Sequence, residues 1–147
     1  MLVVVLNGPN LNRLGRRAPE QYGRQTLAEI VDGLGEQAAA RGADLVHRQS
    51  NHEGELLDFL HEHVDAAASV LCNPAGLTSY GVSLRDGLAD AGLPLAVVHM
   101  TNFLARPAPW PRDDIFQPLA RFYVAGLGAA GYRVALDALL DDADAHP

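Results

Sequence analysis

The run LVVVL at residues 2–6 has no polar face. It is too short for a core helix, its centre is β-branched valine, and polar turn residues follow it, so it reads as a buried strand. A strand that is apolar on both sides must be covered on both sides. A sheet packed between two layers of helices meets that condition.

The rest of the chain repeats strand, loop and helix. Thr26 caps a helix running to about residue 40, with Glu29 as its capping-box partner. Leu27, Ile30, Val31 and Leu34 recur there at helical spacing, and Gly42 ends it. Residues 43–48 form the second strand, and a helix over 53–65 carries Leu56, Leu57 and Leu60 on one face. Residues 68–72 form the third strand, followed by a helix over 80–91 that Gly92 and Pro94 close. The fourth strand spans 95–98. Residues 102–118 hold four of the nine prolines and the only tryptophan, and read as an irregular connection. A fifth strand over 120–125 and a helix over 129–140 follow, with an acidic tail at 141–147 expected to fray.

Strands alternating with helices imply right-handed crossovers and a parallel sheet. The expected fold is α/β: a flavodoxin-like, doubly wound, five-stranded parallel sheet in a single domain over 1–147. Ligands of such sheets bind beyond the carboxyl ends of the strands. Four polar clusters fall there: NGPNLN, QSNHEGE, CNPAGLTS and HMTN follow strands one to four. One composite site is expected.

The net charge of −7 makes nucleic acid and anionic membranes poor partners. Yet Arg13, Arg16, Arg17 and Arg24 place four of the eleven basic residues in the loop after the first strand, a place for a small anion. There is no lysine, which excludes an internal Schiff base and a P-loop lysine. One cysteine, Cys72, lies in an apolar stretch and reads as a buried thiol. No apolar run is long enough for a membrane span, and no secretory signal is apparent, so a cytoplasmic protein is expected.

Tyr22 close to Arg17 is the unusual element. A free tyrosine is a poor base, with a pKa of about 10. A guanidinium favours the phenolate, and about 2.7 kcal/mol of differential stabilisation moves such a group by roughly two units. A tyrosinate can take a proton from carbon beside a ketone if a group such as the Asn10 amide supports the enolate. His99, at the end of the fourth strand, suits a general acid, and backbone N–H groups after it suit a carboxylate. Asn73 suits orientation of a substrate hydroxyl or of the histidine. Taken alone, each residue also has a plainer reading: an amphipathic loop tyrosine, a core histidine, a turn asparagine before Pro74. A metal site among His47, His52, His61 and His63 is not expected, since two of them point to different sides of a helix and no cysteine pair supports them. Gly126 to Gly128 lacks the full dinucleotide fingerprint, and no nucleophile elbow is present.

Several motifs together resemble the type II 3-dehydroquinate dehydratases: LNGPNLNRLGRRAPEQYG, RQSNHEGEL, LRDGL, VHMTN and AGLGAAGYRVAL, in order along nearly the whole chain. The resemblance implies the flavodoxin-like fold and a homododecamer, a tetramer of trimers. It also implies trans dehydration of 3-dehydroquinate, a small anionic cyclic substrate, to 3-dehydroshikimate through an enolate, with no metal or cofactor. By the same resemblance, Tyr22 is the base, Arg17 activates it, and Asn10 helps hold the enolate water. Asn73 and His99 act at the leaving hydroxyl. Met100 and Thr101 form the backbone clamp for the carboxylate, Asp86 reaches a neighbouring copy's site, and Arg112 aligns with a substrate-binding arginine. The segment at about 13–24 is implied to be a flexible lid.

The departures from the family pattern are concentrated. Where the family reads Thr-His-Thr-Ser, this chain has Thr78, Ser79, Tyr80 and Gly81, so Ser79 replaces a histidine that binds substrate. Where the family has Glu-Val-His, this chain has Val97, Val98 and His99, so His99 is expected to lack its orienting carboxylate. The family's His-Ala-Arg-Glu-Glu becomes Leu104, Ala105, Arg106, Pro107 and Ala108. Three readings stay open at this point: the dehydroquinate dehydratase itself, a family enzyme acting on a related cyclic hydroxyketone, and a non-catalytic binding or scaffold protein.

Overall fold

The computed structural model describes residues 1–107 and 113–146. Five parallel strands form one sheet: β1 (Leu2–Asn7), β2 (Asp44–Gln49), β3 (Ala67–Asn73), β4 (Leu95–His99) and β5 (Phe122–Ala125). Their order is β2-β1-β3-β4-β5, and every neighbouring pair is parallel. The helices are α1 (Pro19–Tyr22), α2 (Leu27–Ala40), α3 (Glu53–His63), α4 (Val82–Ala91) and α5 (Ala130–Ala145). Among the described residues, no helix is long and apolar enough to cross a membrane.

The alternation of side chains along a strand divides the core in two. Val3 and Val5 of β1 face the layer that holds Leu27, Ile30 and Leu34 of α2 and Ala135, Leu136 and Leu139 of α5. Val4 and Leu6 face Leu56 and Leu60 of α3 and Leu84 and Leu88 of α4. All four β1 side chains are fully buried, as a run with no polar face requires.

The Thr26 capping box forms as expected. Its hydroxyl accepts from the Glu29 N–H at 3.2 Å, and the Glu29 carboxylate accepts from the Thr26 N–H at 2.7 Å. Other boundaries moved. The fourth helix starts at Val82 rather than near residue 80, because residues 78–81 turn back in i→i+3 and i→i+4 bonds onto Ala75 and Leu77. A short helix not anticipated in the opening loop, α1, starts at Pro19, where proline's missing N–H is harmless. The acidic tail is largely helical rather than frayed: α5 continues to Ala145. Leu139 and Leu140 are buried beneath it, Arg41 pairs with Asp141 at 2.9 Å and Asp144 at 2.6 Å, and Arg121 pairs with Asp142.

Candidate active site

From β1 the chain crosses to β2 on one side, and later places β3 on the other side of β1. This reversal opens a crevice at the carboxyl ends of β1 and β3. The strands approach closely there. Gly8 donates its N–H to the Asn73 carbonyl at 2.9 Å, and a Cβ at position 8 would stand 2.3 Å from the Pro74 carbonyl oxygen. Only glycine fits.

Asn7 and Asn73 are register partners at these two strand ends, and both are buried. Tyr132 of α5 joins them: its hydroxyl donates to Asn7 Oδ1 at 2.5 Å and accepts from Asn73 Nδ2 at 2.8 Å. Burial pushes the Tyr132 phenol up, so it remains a donor. Asn73 Oδ1 in turn accepts from the Ala75 N–H at 3.2 Å, across a turn that holds Ala75 at a left-handed φ of 49°. The Asn73 amide is thereby oriented at both ends. Tyr132→Phe should leave both asparagines short of a partner and lower stability by about 1–3 kcal/mol. Thermal denaturation should show this as a melting point lower by several degrees.

A cavity of about 630 Å³ occupies the crevice, with Asn10, Arg17, Tyr22, Asn73, His99 and Thr101 on its walls. Three of the four clusters expected to form one site, those after β1, β3 and β4, meet here; no residue of QSNHEGE after β2 is on the cavity walls. Tyr22 sits half-buried, packed against the α2–α5 core. Among the described residues, two guanidiniums attend it. Arg17 lies over the ring, 5.4 Å from its centroid. Arg106 Nη2 donates to the Tyr22 hydroxyl at 3.0 Å and to the Thr101 hydroxyl at 3.0 Å. The cation in contact with the phenol oxygen is thus Arg106, while Arg17 lies against the ring face. The opening arginines divide their work: Arg13 and Arg16 line a separate, shallower cleft with Asp32 and His47.

His99 ends β4 with 6% of its side chain exposed. Its ring packs between Phe103, at 4.5 Å between centroids, and Tyr123, at 5.5 Å. Val97 does deprive it of a carboxylate at that position, but the expectation that His99 lacks one is wrong. Asp114, from the irregular connection, places Oδ2 2.7 Å from His99 Nε2. The same oxygen accepts from the Tyr123 hydroxyl at 2.7 Å. Asp114 Oδ1 accepts from the backbone N–H groups of Phe116, at 2.9 Å, and Gln117, at 3.3 Å. Burial alone would raise the Asp114 carboxyl. The bonds from His99, Tyr123 and Phe116 outweigh it and hold the group below its ordinary value. Burial and this neighbouring carboxylate both push the Tyr123 phenol up, so Tyr123 stays a donor.

The remaining expected residues distribute as follows. Asn10 takes a left-handed φ of 68°, and its N–H donates to Asn51 Oδ1 at 2.9 Å, so the loop after β2 braces the loop after β1. Met100 and Thr101 line the cavity just past His99. Ser79 lines it too, but its hydroxyl donates to the Asp113 carbonyl. Tyr80 beside it is exposed. Asp86 lies exposed on α4, away from its own chain's cavity. Arg112 lies outside the described residues. Cys72 is buried, and that burial pushes its thiol up, which makes it unreactive.

The family model for class II dehydroquinases matches residues 1–140. The chain belongs to this family. It is 47% identical over 142 residues to the 3-dehydroquinate dehydratase of Corynebacterium pseudotuberculosis, covering 95% of this chain and 97% of that one. It is 41% identical over 137 residues to the 3-dehydroquinate dehydratase of Bacillus subtilis, covering 93% and 92%. The crystal structure of the type II dehydroquinase from Propionibacterium acnes superposes with a TM-score of 0.89 at 34% identity, covering 96% of this chain and 97% of that one.

Within this class II dehydroquinase, sequence reasoning missed three residues that contact the candidate site residues. Arg106 carried a signal, since it is the one residue of the family's His-Ala-Arg-Glu-Glu stretch, besides the alanine before it, that this chain retains. Tyr132 sat inside the AGLGAAGYRVAL motif without a role. Asp114 carried no local signal, because it lies in a proline-rich connection whose path periodicity does not describe.

Proposed function

We propose that this chain catalyses the trans dehydration of 3-dehydroquinate to 3-dehydroshikimate, a hydro-lyase reaction through an enolate. One observation carries the reading: a phenol hydroxyl held by a guanidinium and an imidazole held by a carboxylate line the same cavity. The relatives at 47% and 41% identity bear the name of that activity.

Tyr22, as phenolate, takes a proton from the carbon beside the ketone. The charges of Arg106 on its oxygen and Arg17 on its face stabilise the anionic base. Asn10 supports the enolate, directly or through water. His99 then gives a proton to the leaving hydroxyl, which Asn73 orients. Water departs, and the new C=C bond is conjugated with the ketone. Backbone N–H groups of Met100 and Thr101 hold the substrate carboxylate, and Ser79 and Arg112 complete the binding surface. Segment 13–24 serves as a lid. A homododecamer, a tetramer of trimers, brings Asp86 of a neighbouring copy to the site, and the enzyme works in the cytoplasm.

The test is to add 3-dehydroquinate to the purified protein and follow the ultraviolet absorbance of the conjugated enone. A steady rise is expected. No rise from a folded protein would overturn the proposal. The exposed Tyr80 and the engaged Ser79 hydroxyl favour one second reading, a related cyclic hydroxyketone as substrate. Turnover of such a ring, with 3-dehydroquinate untouched, would select it.

A further inference from the structure

We infer that Asp114 is the positioning residue of the acid half of this reaction. It sets which nitrogen of His99 serves the substrate and balances the imidazolium's charge, a task the 113–117 turn has taken over from strand position 97. The role in turnover rests on the dehydratase reading above. The geometry does not.

Three of the four groups that meet Asp114 among the described residues are donors whatever the histidine tautomer. Phe116 and Gln117 offer backbone N–H groups to Oδ1, and the Tyr123 hydroxyl and His99 Nε2 face Oδ2. These donors hold the carboxyl below its ordinary value, and an ionised carboxylate can only accept, so the proton in the 2.7 Å contact sits on Nε2. Nδ1 is then the ring nitrogen left for a substrate. The two side chains are 6% and 5% exposed, so the pair is shielded from solvent screening.

The turn that carries Asp114 is tied down on both sides of it. Ser79 donates its hydroxyl to the Asp113 carbonyl, and the Ile115 N–H donates to the Thr78 carbonyl at 3.0 Å. Phe116 follows, fully buried in the α3–α4 layer. Two departures from the family pattern thereby belong to one arrangement. Ser79, in place of a histidine, fastens the turn that delivers a carboxylate to His99. Val97, in place of a glutamate, no longer has to supply one. Position 97 lies on the same side of β4 as His99, two residues before it. It is in register with Tyr123, whose hydroxyl bonds Asp114. The two carboxylate positions therefore serve one histidine.

Three variants and two readouts test this. In Asp114→Asn, either orientation of the amide sets an NH₂ against existing donors. We expect kcat on 3-dehydroquinate to fall roughly 10- to 100-fold, part of the roughly 10²–10⁴-fold that a positioned general acid supplies, with KM little changed. Asp114→Ser keeps an acceptor for the Phe116 N–H and removes the carboxylate, so it should show the same loss if Asp114→Asn folds poorly. Asp114→Asn combined with Val97→Glu should recover most of the lost kcat, which a merely structural role would not allow. The second readout needs no substrate: ¹⁵N spectra of the His99 ring should show the Nε2–H form in the parent protein and lose it in Asp114→Asn. Unchanged kcat and an unchanged ring tautomer in Asp114→Asn would overturn the inference. If the parent protein leaves 3-dehydroquinate untouched, the dehydratase reading falls, and the ring spectra alone decide whether Asp114 positions His99.

Discussion

Tyr22→Phe is expected to fold normally and to lose at least about 10³-fold in kcat, within the range a general base supplies. The substitution deletes one oxygen. The ring stays, packed against the α2–α5 core and under the Arg17 guanidinium. Arg106 loses an acceptor but keeps the Thr101 hydroxyl at 3.0 Å. The residue is half-buried rather than central to the core, so the melting point should move by only a few degrees. What disappears is the atom proposed to take the proton. Circular dichroism and melting check the fold, and enone absorbance checks turnover. A variant with kcat within tenfold of the parent would rule out the tyrosinate mechanism.

Arg106→Gln is expected to lower kcat by about 10²–10³-fold, the usual consequence of removing one preorganised group from a developing charge. Glutamine retains a donor near the hydroxyl but carries no charge. The phenolate would form beside a dipole instead of a cation. If Arg106 acts through Tyr22, its loss should matter little once that oxygen is gone. The double variant Arg106→Gln/Tyr22→Phe should therefore be only slightly worse than Tyr22→Phe, a strongly non-additive result. Multiplicative losses would mean that Arg106 touches the substrate independently. A raised KM with kcat intact would assign it to binding alone.

Much of this molecule is legible from the chain. LVVVL has no polar face, and it becomes a central strand covered on both sides. Thr26 and Glu29 announce a helix start and make the capping box. The polar clusters after β1, β3 and β4 meet at one cavity, because a parallel sheet sends all its carboxyl ends to the same edge. These features rest on short-range regularities: a strand's alternation, a helix's period, a cap three residues from its partner. Such patterns are complete within a few residues, so they survive without knowledge of the fold.

The partners of the functional groups are not of that kind. Arg106 reaches Tyr22 across 84 residues, Tyr132 reaches Asn73 across 59, and Asp114 reaches His99 across 15 that include the proline-rich connection. Nothing local distinguishes Asp114 from its neighbour Asp113, one of which meets the histidine while the other is exposed. The choice depends on how the turn is fastened to residues 78 and 79 and on Phe116 filling the core. Residue types and their order were enough to set the layers, the sheet edge and the chemical inventory of the site. Which cation meets the phenol and which carboxylate meets the imidazole was settled by packing, because a side chain's nearest charge is a matter of three-dimensional distance and not of separation along the chain.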